Sequence, residues 1–285
     1  MASFFGEGGE VPEYLKYENQ IPNPTNIALF HAAKAGNVEK VKASLGEGGM
    51  PNYFHLPDEQ KNSLHIAAEK GYVEIIKLLC DHGAVPNVVV GTTKDSALLL
   101  AVQHNQLKTA ELLISLGCDV NLSNCYGNTP LHEAAHLGYV ELAALLLQHG
   151  ADRKVANHKG STPLHFMCYC ELPTDPEKAA VMSQKSIALV KMLVEAGAEV
   201  NALDSQGISP LLACCVSGRM DIITVLIALG ADPKLTDNKG RTAYDIGTFY
   251  NQEKIYQHFG KDSPINRFLP LSADTSTSSL STHQT

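Results

Sequence analysis

The chain has 285 residues, 44% of them hydrophobic, which is enough to bury a sizeable core. Its formal net charge of −8 argues against nucleic acid as a partner, because phosphate binding needs a basic face. No run approaches the roughly 20 consecutive apolar residues that span a bilayer, and the glycine-rich, acidic N-terminus does not resemble a secretory signal.

Internal repeats begin after an N-terminal extension of residues 1–25. Four segments share one pattern: NSLHIAAEKGYVEIIKLLCDHGAVPN, GNTPLHEAAHLGYVELAALLLQHGAD, GSTPLHFMCYC and GISPLLACCVSGRMDIITVLIALGAD. The loop glycines Gly127 and Gly160 lie 33 residues apart, as do Gly207 and Gly240. The step between Gly160 and Gly207 is 47 residues, which is one period plus an insertion of 14.

A second series of glycines follows the apolar run of each repeat. Glycine accepts the left-handed conformation that ends a helix, and the run before it is apolar at i, i+3 and i+4, as in one buried stripe. The pattern therefore predicts that each run is a helix ending at its glycine. These glycines are Gly48, Gly83, Gly117, Gly150, Gly197 and Gly230.

The repeat resembles a known family. TPLH at Thr129–His132 and Thr162–His165, with Ala134 and Ala135 after the first, is similar to the T-P-L-H-x-A signature of the ankyrin repeat. The resemblance implies an all-α solenoid of about seven stacked helix-turn-helix units with projecting, hairpin-like loops. The units begin near Asn26, Lys61, Asp95, Asn128, Ser161, Ile208 and Arg241.

Units one, three and seven depart from the signature, and unit two is preceded by a longer loop. We expect Tyr53, Phe54 and His55 of this loop to be exposed. Unit three has Asn105 in place of the turn glycine, and asparagine is the residue that next most readily adopts a left-handed conformation.

The domain boundaries follow from the repeats. The repeat domain covers residues 26–260, with the insertion near residues 171–185, between the two helices of unit five. The sequence after Pro176 can continue as one helix, so the second helix of this unit should be longer by about two to three turns. The insertion is either a binding element or a tolerated surface loop. Residues 261–285 are rich in Ser and Thr, and this composition predicts a disordered tail.

Cysteine and histidine recur often enough that a thiol enzyme or a metal site has to be considered. Cys168 and Cys170 lie close to His165 in the sequence. However, Cys215 lies one 47-residue step after Cys168 and occupies the same position of the repeat, which in unit four is occupied by Ala135. These are small packing positions of the first helix, where free cysteine behaves as a small hydrophobe. No zinc-type spacing or known catalytic motif occurs, so we predict no enzyme activity, no cofactor and no metal. A Cys/His-dependent enzyme is the less favoured alternative.

Three histidines share one position of the repeat. His65, His132 and His165 each occupy the signature position, and a periodic series indicates a structural role, since a catalytic triad needs one special histidine. We predict that they form hydrogen bonds between neighbouring loops.

The resemblance implies that partners bind in the concave groove formed by the loop tips and the first helices. The variable positions there are aromatic, histidine-bearing and polar, as interfaces often are. We predict a protein partner and a chain that is monomeric on its own. The predicted contact residues are Gln103, His104, Tyr126, Asn128, His136, Leu137, His158, Lys159, Ser161, Tyr169, Ser205, Gln206 and Ile208.

Two asparagines are candidate modification sites. Asn121 and Asn201 end segments similar to the L-x5-[DE]-V-N pattern that the asparaginyl hydroxylase of ankyrin proteins modifies. The alternative is that these asparagines belong to the plain repeat consensus and form side-chain hydrogen bonds.

The leading function is a non-enzymatic scaffold or adaptor for protein–protein interaction in signalling or targeting. A second hypothesis is an effector that an intracellular bacterium secretes into a host cell, which an ankyrin array with a Ser/Thr-rich tail would suit. The scattered, odd number of cysteines favours a reducing compartment. We therefore predict a cytoplasmic location, with the nucleus or the host cytosol as alternatives.

Overall fold

The computed structural model describes residues 23–55, 61–170, 172–250 and 253–259. Within these residues the chain forms seven pairs of helices. The first helices of the pairs are α1 (Pro24–Lys34), α3 (Ser63–Lys70), α5 (Ala97–Gln103), α7 (Pro130–His136), α9 (Pro163–Cys168), α11 (Pro210–Ser217) and α13 (Ala243–Phe249). The second helices are α2 (Val38–Gly46), α4 (Val73–Asp81), α6 (Leu107–Ser115), α8 (Val140–Gln148), α10 (Pro176–Glu195), α12 (Met220–Ala228) and α14 (Glu253–Phe259).

The first helices begin where the signature predicts. Thr129 and Thr162 cap α7 and α9, and in each case a proline is the first helical residue. Proline is favoured there because its missing N–H would have no partner in the first turn, and its fixed φ suits the helix. Ser209 caps α11 in the same way and accepts a hydrogen bond from the Leu212 N–H.

The helices stack into one array. Between most neighbouring units the first helices pack more closely than the second helices, and the exception is the pair of units five and six, where the long α10 packs against α12. Close approach is possible because the facing positions carry small residues, such as Ala68, Ala101 and Ala135, which are completely buried. The first helices therefore line one side of the array, and the predicted all-α stack of paired helices is confirmed.

Left-handed residues end the helices as predicted. Gly83, Gly117 and Gly150 have φ of 89°, 87° and 85°. Asn105 replaces a glycine in unit three and has φ of 55°, which confirms the role assigned to it.

From unit two onward, loops that we call fingers join each unit to the next, at residues 84–96, 118–129, 151–162, 198–209 and 231–242. Each is a tight hairpin, and in the first of them two short strands, β1 (Val89–Val90) and β2 (Asp95–Ser96), pair antiparallel. Neighbouring fingers are joined by backbone hydrogen bonds, including one from the His158 N–H to the Tyr126 carbonyl. The finger tips thus form a continuous edge above the first helices.

The insertion lengthens α10. This helix has 20 residues, whereas the other second helices between α2 and α12 have nine, which confirms the predicted extension. Its added turns are held by Met182, which lies against Gly138, and by Ser183, whose hydroxyl donates to Asp221 at 2.6 Å. Asp221 is itself clamped by the buried Arg219, whose Nη1 also donates to the Cys170 carbonyl at 2.9 Å.

The aromatic residues before unit two are less exposed than expected. Tyr53 and His55 are buried, and Phe54 is half-buried. The His55 ring stacks on the ring of Phe30, 4.3 Å between centroids, because the loop folds back onto α1. The expectation that these residues are exposed was wrong. The predicted tail, residues 261–285, and nearly all of the N-terminal extension lie outside the described residues.

Candidate partner-binding groove

The fingers are built by one repeated side-chain arrangement. The Asn157 Oδ1 accepts hydrogen bonds from the backbone N–H groups of Lys159 and Ser161, at 2.9 and 3.0 Å. Asn124, Asp204 and Asp237 occupy the same position and make the same pair of bonds in their own fingers. Sequence reasoning used the glycine three residues later and missed these residues, although they follow the same register. They fix the finger backbone and leave the side chains at the tip free to vary.

The signature histidines join each first helix to the next finger. The His132 Nε2 lies 3.0 Å from the Ser161 carbonyl, and its Nδ1 accepts from the Thr129 N–H at 3.1 Å. His65 and His165 make the corresponding Nε2 bonds to the carbonyls of Val88 and Ile208. The predicted hydrogen bonds between neighbouring loops are therefore confirmed.

The same histidines are held neutral. Burial lowers the pKa of His65 and His132 to about 4, and it also lowers the pKa of His165. A neutral ring can accept at Nδ1 while it donates at Nε2, which is the pattern that His132 and His165 need.

The predicted contact residues divide by exposure. The side chain of Tyr126 is 58% exposed at a finger tip. The other exposed members are His104, His136, His158, Lys159, Ser205 and Gln206. Half-exposed members are Gln103, Asn128, Leu137 and Tyr169. Ser161 and Ile208 are buried, since each lies beneath its own finger and offers its carbonyl to a signature histidine.

One position of the first helices faces the groove in every unit. It lies four residues after the signature position, one helical turn away, and its occupants are half-exposed or exposed. Gln103, His136 and Tyr169 had been identified there. The remaining occupants in units two to seven are Glu69, Val216 and Phe249.

Aromatic side chains gather in the C-terminal half of the groove. Phe166 lies against His136, with ring centroids 6.0 Å apart. Phe249 is 67% exposed, contacts Tyr250 edge to face, and carries Arg241 over its ring at 5.6 Å. Burial raises the pKa of Tyr169 to about 12. Sequence reasoning missed Phe166, Phe249 and Tyr250, although extending the register to unit seven would have found Phe249.

Asn121 and Asn201 tie consecutive units together. The Asn121 amide donates to the Gly150 carbonyl at 3.2 Å, and its Oδ1 accepts from the Asp152 N–H at 2.8 Å. Asn201 makes the matching pair of bonds one unit further along, to Gly230 and Asp232. Both side chains are exposed.

The cysteines considered for chemistry are packed inside the array. Cys168, Cys214 and Cys215 are completely buried. Burial raises the pKa of Cys215 to about 12 and also raises the pKa of Cys214 well above its usual value. A thiol that stays protonated is a poor nucleophile and a poor metal ligand. No group of three or more His, Cys, Asp or Glu side chains is arranged to hold a metal ion among the described residues.

None of the described helices combines the length and the apolar character needed to span a membrane.

Comparison with known proteins agrees with the repeat architecture. A family model described as ankyrin repeats (3 copies) matches residues 2–90, 98–173 and 178–264. The chain is 34% identical over 143 residues to the transient receptor potential channel pyrexia of Drosophila melanogaster, covering 49% of this chain and 15% of that protein. It is 41% identical over 68 residues to the ankyrin repeat and LEM domain-containing protein 1 homolog of Caenorhabditis elegans, covering 24% of this chain and 10% of that protein.

A third relative is the ankyrin repeat and KH domain-containing protein mask of Drosophila melanogaster. It is 35% identical over 113 residues, which cover 39% of this chain and 3% of that protein. The chain thus spans only a small part of the length of each of these relatives, and the family model and two of the three relatives are named for the ankyrin repeat. The chain belongs to the ankyrin repeat family, whose repeats are generic protein–protein interaction modules.

Proposed function

We propose that this chain is a non-enzymatic scaffold or adaptor that binds a partner protein through its concave groove. The observation that carries the proposal is the division within the first helices. Positions that repeat, such as His132, are buried and bonded to the next unit, whereas positions that vary, such as His136, are exposed to the groove. Variable exposed positions on a rigid array are where a repeat protein can acquire specificity.

The character of the exposed positions supports a protein partner. Tyr126, Tyr169 and Phe249 present aromatic surface, and aromatic residues contribute a large share of the energy at protein interfaces. Aromatic side chains have only two χ angles, so they supply contact area at a low cost in conformational entropy.

A non-enzymatic role is supported by the state of the thiols and histidines. Their burial holds Cys214, Cys215 and the signature histidines in the uncharged form, where each fills a packing or bridging position. We also propose a cytoplasmic location, because all seven cysteines are free thiols. The secreted-effector hypothesis depends on residues 261–285, which lie outside the described residues.

The test is affinity capture with the full chain and with a double variant, Tyr126→Ala with Tyr169→Ala. We expect the double variant to lose the proteins that the wild-type chain retains, since both side chains face the groove. Tyr169 is half-buried, so circular dichroism must show that the variant still unfolds cooperatively.

The matched control is Lys108→Ala with Glu141→Ala, two exposed residues on the second helices α6 and α8. It should retain the same proteins as the wild-type chain. If the groove variant retains its partners while the control loses them, the binding surface lies on the second helices and the proposal fails.

A further inference from the structure

Two carboxylates are held by hydrogen bonds from asparagine amides. Asp95 lies in β2, and its Oδ1 accepts from the Asn124 amide at 3.2 Å. Glu133 lies on α7, and its Oε1 accepts from the Asn128 amide at 3.2 Å. Both are half-buried, and no ion pair within the described part of the chain includes either of them.

Other carboxylates of the groove are neutralised within the chain. Glu69 is paired with Lys61 at 3.1 Å, and Asp237 with Arg241 at 2.7 Å. Lys61, Asp95 and Arg241 occupy the same position of units two, three and seven. Unit three therefore reverses the charge of a position that supplies the neutralising cation in units two and seven.

The two carboxylates are held by the same finger. The Asn124 amide donates to Asp95, the Asn128 amide donates to Glu133, and the Asn128 N–H donates to the Asn124 Oδ1 at 3.1 Å. Burial raises the pKa of Glu133 and the charge of Asp95 also raises it, whereas the hydrogen bond from Asn128 and the nearby His136 lower it. Half-buried like charges repel one another, and a cationic side chain placed between them would relieve the repulsion and form charge-assisted hydrogen bonds. The groove thus offers an electrostatic reason for a basic side chain at this point.

An aromatic surface follows one unit further along. Phe166 occupies the position of Glu133 in the next unit, and Tyr169 occupies that of His136. Both are half-exposed, and Phe166 packs edge to face against the rings of His132 and His136. These rings are held in place by their neighbours and offer a preformed apolar contact.

We propose that the partner protein presents a lysine or arginine to Asp95 and Glu133 and an aliphatic or aromatic side chain to Phe166 and Tyr169. This inference rests on the proposed function, since it specifies what the groove recognises. Neighbouring helices pack about 8–10 Å apart, and an extended chain advances about 3.3 Å per residue. The two side chains therefore lie about three residues apart in an extended segment of the partner.

The probe is a displayed library of random dodecapeptides, selected against the full wild-type chain. We expect the enriched peptides to combine a basic residue with an apolar residue about three positions away. Their affinities are then measured by fluorescence anisotropy against the double variant Asp95→Asn with Glu133→Gln. These amides keep an acceptor oxygen for Asn124 and Asn128 but remove both charges.

We expect the enriched peptides to bind this double variant at least roughly tenfold more weakly, with a weaker dependence on salt. The matched control removes two exposed carboxylates of α6 and α8, as Glu111→Gln with Glu141→Gln, and should bind like the wild-type chain. Equal melting temperatures of the two double variants would show that the difference lies in recognition.

Enriched peptides without a basic residue, or affinities that the loss of Asp95 and Glu133 does not change, would overturn the inference, as would a selection that enriches no sequence. The groove variant Tyr126→Ala with Tyr169→Ala shows whether only the inferred recognition of a basic side chain is wrong or whether the groove is not the binding site. If peptides lose affinity for that variant and not for the carboxylate variant, the groove remains the binding site and only the proposed recognition of a basic side chain is wrong. If neither variant matters, both proposals fail.

Discussion

The buried and exposed faces of the first helices differ in what their side chains contact, and α7 carries a histidine on each. His132 is completely buried and joins Thr129 to the Ser161 carbonyl of the next finger. His136, one turn later, is exposed beside the ring of Phe166, and its Nδ1 makes only a long contact of 3.5 Å to the Phe166 carbonyl. The same residue type therefore stabilises the stack at one position and is available for recognition at the other. The position in the repeat decides the role.

Truncating each histidine tests most directly whether the two faces of α7 contribute differently to stability. We expect His132→Ala to lower the free energy of unfolding by about 3 kcal/mol, because it leaves a cavity and removes the partner of a buried carbonyl. His136→Ala should change it by about 0.5 kcal/mol or less. Urea unfolding followed by circular dichroism measures both. Equal losses would mean that the two faces are not distinct.

The pH dependence of stability tests the same difference between buried and exposed histidines. The pKa of His132 is lowered to about 4 in the folded chain, whereas in the unfolded chain it is about 6.5. Below pH 6.5 the unfolded state therefore binds more protons, so stability is full above that pH and falls as the pH drops toward 4. Between pH 7 and pH 5 we expect His132 alone to account for about 2 kcal/mol.

The measurement compares wild type with His132→Gln by urea unfolding at both pH values. The variant should lose less stability than the wild-type chain over this interval, by the amount due to His132. His136→Gln is the control and should follow the wild type. A wild-type chain equally stable at pH 7 and pH 5 would show that the buried histidines do not resist protonation.

Two glycines extend the comparison to the turns. Gly160 and Gly117 both have left-handed φ, 76° and 87°. A Cβ on Gly160 would lie 2.7 Å from the Ser205 backbone nitrogen of the next finger, whereas one on Gly117 would have no neighbour within 4 Å. We expect Gly117→Ala to cost about 1 kcal/mol for the left-handed conformation alone, and Gly160→Ala to cost about 2 kcal/mol. Thermal unfolding of the two variants tests the order, and equal costs would contradict close finger packing.

The smallest effect concerns the asparagines between units. Asn121→Ala removes two hydrogen bonds to the following unit, and we expect a loss of about 1 kcal/mol, since both bonds are exposed. Ser123→Ala, at an exposed neighbouring site, is the control. We also retain Asn121 and Asn201 as proposed hydroxylation sites. Coexpression with the asparaginyl hydroxylase should then add the mass of one oxygen atom per modified residue, and an unchanged intact mass would remove this proposal.

The repeat and the residues that maintain it could be predicted from the amino-acid sequence alone. A repeat contacts only its neighbours, so a fixed period places equivalent residues in equivalent surroundings. This is why the capping threonines, the left-handed Asn105, the bridging histidines and the buried Cys168 and Cys215 could be predicted from register alone. The long helix α10 followed from the helix-compatible residues after Pro176.

The sequence did not predict which groove side chains are exposed to a partner or how their charges are balanced, because both depend on contacts between units. Ser161 and Ile208 vary along the repeat, yet each is covered by its own finger. Asp95 and Glu133 are ordinary acidic residues in the sequence. That neither of them forms an ion pair among the described residues depends on distances between side chains of different units. Register fixes where a backbone position lies, but the partner of a side chain depends on what the neighbouring units place beside it.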